Sequence, residues 1–398
     1  MGTPLRFTYS LRVCGAAICI LSLSGDLLAE FSVPVTLPAG RGADGVAIGD
    51  VLAGGGNELI VANRVSWDIM VFQRDKDQPH ALRRVQTIKT NWAPAVIATA
   101  DINRDSLTDL VIAHYDDYQG SGKANSFGVC YQNQSGQLGA EVVYHLPRGK
   151  SSRAIAVGDV DSDGFAEIVV ANEHVGNEVF VWGWSDTSSS LQVVANYGSI
   201  HGYVVSISVG DVTGDDRNDV VLYGTRMFVL SQGPHKRLSV AVDHGPTGGE
   251  SCDIGDVNQD GLNDVVGATA FSGEIEIWHQ TPGHSLVRQE KRACGAYTED
   301  VVIADLNQDG RLDVAVASRD DSSLFVFHQR QNGGFGKPRV LVTRAASWLN
   351  ELAVGDLDGD GQTDLVASHW GSNRVLNPAT GFVSVWYSRP AAPVAGEP

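Results

Sequence analysis

The sequence predicts an all-β fold, a seven-bladed β-propeller with calcium-binding loops, and three observations point to it. An acidic motif recurs seven times, with its leading Asp at positions 50, 101, 159, 211, 256, 305 and 356, so the copies lie 45 to 58 residues apart. A unit of about 50 residues made only of short strands and turns suits one four-stranded blade, and seven blades lie within the usual range. The residue before each leading Asp is small (Gly49, Ala100, Gly158, Gly210, Gly255, Ala304, Gly355), as strands crowding a central axis require. The chain ends are also complementary. After the last copy only "GFVSVWYS" follows before a Pro-rich tail, which leaves the seventh blade one strand short, while "FSVPVTLP" at 31–38 is a strand without a blade. Pairing the two would close the ring and remove two exposed edges.

Taken in order, residues 1–29 read as a secretory signal peptide, with Arg6 and Arg12 ahead of the apolar run 13–25 and Ala29 before a plausible cut. That run is too short to span a bilayer. Residues 30–389 form the propeller and 390–398 a disordered tail. The expected localisation is therefore secreted, periplasmic or cell-surface. Within the propeller each copy reads as strand, acidic turn, strand, from "IGDVLAGGGNELIVAN" at 48–63 to "VGDLDGDGQTDLVASH" at 354–369. Short alternating apolar runs between Gly, Asp and Asn turns carry the strand assignment.

The formal net charge of −18 opposes nucleic acid and anionic membrane surfaces as partners. Of five cysteines, Cys14 and Cys19 fall in the leader, so Cys130, Cys252 and Cys294 can form one disulfide at most. Rigidity must come from elsewhere.

The acidic turns supply a candidate. In "DLNQDGRLD" (305–313), Asp305, Asn307 and Asp309 sit at positions 1, 3 and 5, Gly310 at the bend and Asp313 at position 9. Oxygen donors so spaced can converge with the carbonyl of position 7 on one hard cation. The pattern contains no His or Cys, which disfavours zinc and copper. The same positions are held by Asp101, Asn103, Asp105 and Asp109; by Asp159, Asp161, Asp163 and Glu167; and by Asp211, Thr213, Asp215 and Asp219. They recur as Asp256, Asn258, Asp260 and Asp264, and as Asp356, Asp358, Asp360 and Asp364. The third and seventh loops, with four carboxylates, should bind most tightly. Ser106 occupies the bend where Gly is favoured, and Leu52 and Gly54 leave the first copy without ligands. Six divalent ions would add twelve charges and bring −18 to −6, so about five to six calcium ions are expected.

These residues resemble the FG-GAP and VCBS repeats of integrin-α-like propellers, over roughly residues 31 to 388. The resemblance implies that the D-x-D-x-D-G-x-x-D loop joins the first and second strands of each blade and holds calcium. Propellers host lectins, adhesion receptors and enzymes alike.

The face opposite the acidic loops is then free for recognition. Its loops should carry Trp92, His114, Tyr203, Tyr297, Trp348 and Trp370 as ligand-binding residues, together with the insertions 114–128 and 369–382. Aromatic plates beside polar groups suit an extracellular glycan or protein. GxSxG, P-loop and HExxH motifs do not occur. A binding module, monomeric and with no membrane span after leader removal, is accordingly the first reading. A polysaccharide-degrading lyase or hydrolase using the same face is the second.

Overall fold

The computed structural model describes residues 31–389 except 79, 116–124, 148–150, 174–177, 199, 234, 236, 240, 284, 344–346 and 372–380. The leader, the tail and most of both insertions lie outside the described residues. Seven antiparallel four-stranded sheets follow one another along the chain. Blade 1 comprises Ala43–Gly49, Glu58–Asn63, Asp68–Arg74 and Leu82–Lys89. Blades 2 to 6 begin at Ala93, Ser151, Val204, Gly249 and Thr298. Blade 7 takes Leu349–Gly355, Asp364–His369 and Phe382–Trp386 from the C-terminal end and Val35–Pro38 from the N-terminal end.

The ring closes as the strand count predicts. Val35 pairs with Val385 and Leu37 with Val383, and the first strand of blade 7 touches that of blade 1. Plain strand alternation over 31–38 would place Phe31, Val33, Val35 and Leu37 on one face, and the structure corrects this: they do not share one. Val33 is exposed, and Phe31 is buried between blades 6 and 7. Val35 and Leu37 pack between blades 7 and 1. Ser32 Oγ accepts the amide of Tyr387, and Pro34 interrupts the segment, so strict alternation holds only from Val35 onward.

Apolar burial is divided into clusters that each join two neighbouring blades, such as Val61, Phe72, Val366 and Val385 between blades 1 and 7. Second strands are the filling. Every residue of Asp219–Gly224, Asp264–Thr269, Asp313–Ser318 and Asp364–His369 is buried. The small residues before the leading Asp have a specific neighbour. A Cβ at Gly158 would lie 2.6 Å from Val209, one at Gly255 2.9 Å from Ile303, and one at Gly355 2.8 Å from Ile48. Each partner is the β-branched residue two before the next blade's leading Asp, so the restriction is set by blade-to-blade packing. The three cysteines of the described residues are free and buried.

Candidate functional site: acidic turns on one face, a channel mouth on the other

All seven acidic turns join first to second strands and therefore share one face. The backbone is pre-formed for the carboxylates. In blade 6, Asp305 Oδ1 and Oδ2 accept the amides of Asp309 (3.1 Å) and Gly310 (2.9 Å), and Asp309 Oδ1 accepts that of Arg311 (3.0 Å). Asp313 Oδ2 accepts the Leu306 amide, and its Oδ1 the Gln329 amide just past the third strand, Ser323–Phe327. Position 9 thus braces the turn against the sheet. The same brace recurs at Asp109, Asp219, Asp264 and Asp364. Glu58 repeats part of it in blade 1, taking the amides of Val51 and Leu52, but Leu52 and Gly54 provide no donors there.

Turns of neighbouring blades are also clasped. Asn57, Asn218 and Asn263, each one residue before position 9, donate 3.0 Å bonds to the carbonyls of Asp356, Asp159 and Asp211 on the preceding blade.

The donor chemistry fits a hard cation. Asp159, Asp161, Asp163 and Glu167 offer oxygens within 4.8 Å of one another, as do Asp356, Asp358 and Asp364. These are the third and seventh loops. Burial, followed by the repulsion of Asp161, Asp163 and Asp159, pushes the Glu167 carboxyl up to about 8, so the cage favours a proton or a cation. In the second loop Ser106 adopts φ 66°, a region that costs most non-Gly residues about 1 kcal/mol. Ser106→Gly is expected to raise the melting temperature by about 1 to 2 °C, measured by calorimetry, because it relieves that bend. Asp216 occupies the same bend in the fourth loop at φ 62°, a departure the sequence pattern did not flag.

On the opposite face the first strands open into a cavity of about 430 Å³ on the propeller axis. Each first strand has a register shift near this mouth, as at Gly249/Ser251, Thr298/Asp300 and Leu349/Leu352. Such bulges re-aim side chains. Asp44, Glu250, Asp253, Glu299, Asp300 and Glu351 line the cavity, beside Arg64. Some of these acids stitch blades together: Asp253 Oδ2 accepts the Ile303 amide and Asp300 Oδ2 the Leu352 amide, both at 2.7 Å. Burial pushes the Asp253 carboxyl up to about 7. Burial, then Asp300 and Asp44, raise Glu351 well above the carboxylate range.

Two aromatic plates flank the mouth. Arg319 lies 3.6 Å from the Tyr297 ring centroid and 5.0 Å from that of Trp348, and pairs with Glu299 at 3.1 Å. Phe271, 88% exposed, meets Tyr297 edge-on. On the other side Arg64 lies 3.5 Å from the Tyr115 centroid and 5.4 Å from that of Trp370, and pairs with Asp44 at 3.2 Å.

Of the residues expected to touch ligand, Tyr297, Trp348 and Trp370 belong to these plates. Trp92 packs near Trp67, with ring centroids 6.4 Å apart. Tyr203 is partly exposed on blade 4. His114 needs correction: it is fully buried, with Nε2 2.6 Å from Glu141 Oε1 and Nδ1 2.9 Å from Ser126 Oγ. It ends its strand at the repeat position that is Asn63, Thr269 and Ser318 elsewhere, where a polar side chain pins the following turn. Arg64, Tyr115 and Arg319 were missed, although a signal existed. They and Trp370 stand fourteen residues after a leading Asp, so aligning the copies brings them into one ring.

A family model described as FG-GAP-like repeat matches residues 256–316 and 305–367. A search of curated proteins gives no match. Among solved structures, the chain is similar to the crystal structures of BBS1N in complex with ARL6DN soaked with lead and with mercury. The TM-score is 0.62 for both, at 12% and 13% identity, covering 93% of this chain and 99% of each of those.

Proposed function

We propose that this FG-GAP-repeat propeller is a secreted, calcium-stabilised recognition module whose ligand, a protein or glycan outside the cell, docks on the channel mouth. FG-GAP propellers generally serve as binding modules. The observation that carries the reading is the mouth itself: a cavity of about 430 Å³ on the axis, faced by six acidic side chains and flanked by half-buried aromatic plates. Burial holds Asp253 and Glu351 toward the protonated form, and Arg64 and Arg319 pair with Asp44 and Glu299. The mouth thus offers carboxyl acceptors with a modest acidic balance, which suits a protein presenting Lys or Arg better than an acidic polysaccharide. The same carboxylates oppose the enzyme reading where its substrate is a uronate-rich chain. Calcium would be held by the six ligand sets of blades 2 to 7, which supply oxygen coordination and cancel repulsion at each bend. The apolar run and basic residues of 1–29 support export. Among the described residues no helix is long and apolar enough to cross a membrane.

The test is an array carrying both Lys/Arg-rich peptides and neutral glycans, probed with the mature chain and with the Glu250→Gln/Glu299→Gln variant. Peptide binding that weakens at least about ten-fold in the variant and falls with salt supports the mouth. Binding confined to neutral glycans and unchanged in the variant moves the site elsewhere. Release of unsaturated sugar ends from a polysaccharide would make the protein a lyase.

A further inference from the structure

Carboxylate count makes the third loop one of the two strongest cation sites, yet a guanidinium from another blade already rests on it. Arg104 sits at position 4 of the second loop, and its Nη2 lies 2.8 Å from Asp163 Oδ2 in the third. Its Cζ is 4.2 Å from the centroid of the Phe165 ring, two residues further along the same loop. Asp163 Oδ1 is taken by the Phe165 amide at 3.0 Å, so both oxygens of this ligand already accept a hydrogen bond. The Arg104 Nε is buried without a partner, which makes this a one-handed contact.

We propose that Arg104 is a cross-blade countercharge that weakens calcium binding at the third loop, making it a tuned site that fills at higher calcium than its four carboxylates imply. The argument is Coulombic. A fixed positive charge within about 5 Å of a doubly charged ion opposes binding even through water, by roughly ten-fold or more in affinity. The Phe165 face holds the guanidinium over the loop and keeps it from swinging into solvent. Arginines of the fourth and sixth loops, Arg217 and Arg311, rest on Asp215 and Asp309 of their own turns. Arg104 instead reaches in from the preceding blade, whereas His80 of blade 1 meets Asp358 of the seventh loop from the following blade. At the third loop, therefore, the second loop's left-handed turn, with Arg104 at φ 64°, controls the affinity.

The inference rests on the calcium reading, and its test separates the two. Calcium alone is titrated into chelator-stripped mature protein by calorimetry, in the wild type, Arg104→Gln and Arg104→Lys. Each is repeated with Asp161→Asn, and the binding step that this change removes is the third loop. Arg104→Gln should strengthen that step at least about five-fold, with the gain shrinking as salt rises. Arg104→Lys, which keeps the charge, should stay within about two-fold of the wild type. An unchanged or weakened step in Arg104→Gln overturns the countercharge, as does a Lys variant that matches Gln. Absence of calcium uptake in every variant removes the calcium reading instead.

Discussion

Stripping calcium is expected to lower the melting temperature of the mature chain by 10 °C or more, with about five to six ions bound on titration. A ligand at one hundred times its dissociation constant stabilises the folded state by about 2.7 kcal/mol per site. Six ligand sets stand on one face, and in five of them the position 9 carboxylate also braces the turn against the chain at or just past the end of the third strand. Without a cation these buried carboxyls are poorly placed: burial pushes Asp264 and Asp364 up to about 7 and Glu167 to about 8. The loops do not act singly either, because the Asn57, Asn218 and Asn263 clasps carry the order of one turn to its neighbour. Loss should therefore exceed what one turn would give. Calorimetry in calcium and in chelator decides it. Superimposable curves and no heat of binding would mean that the turns are held by their amide bonds alone.

Most of the fold was legible in the chain because the repeat states the same physical problem seven times. Small residues before Asp159, Asp256 and Asp356 revealed crowding, and the structure shows its source in Val209, Ile303 and Ile48 of the next blade. The ligand sets were legible because oxygen donors must alternate along a tight turn. The channel mouth was not. Its acids sit at register shifts, where one inserted residue reverses the inward and outward faces. Alternation therefore gives no account of Glu250, Glu299 or Glu351. His114 failed for a different reason: an imidazole near a loop looks free in sequence, whereas its partners Glu141 and Ser126 lie 27 and 12 residues away.

The last prediction concerns the closing strand, and the register now makes it specific. Residues 31–39 contribute Phe31 to the cluster between blades 6 and 7, and Val35, Leu37 and Ala39 to that between blades 7 and 1. They also make the backbone bonds Ser32 N to Tyr387 O (2.8 Å) and Ala39 N to Gly381 O (3.0 Å). Burying one Phe and parts of two aliphatic chains contributes about 3 to 6 kcal/mol. Removing them leaves Phe382–Trp386 as a bare edge with Val383 and Val385 uncovered, a template for pairing with another molecule. A chain starting at residue 40 should therefore melt far earlier than one starting at 30, or aggregate, although both keep every acidic turn. A Val35→Cys/Val385→Cys pair, facing in the register, should crosslink within the monomer and restore resistance to unfolding. If the shorter chain melts unchanged and stays monomeric, and the cysteines never join, the ring is held shut by the contact of first strands alone. The closing strand would then be an ornament on blade 7.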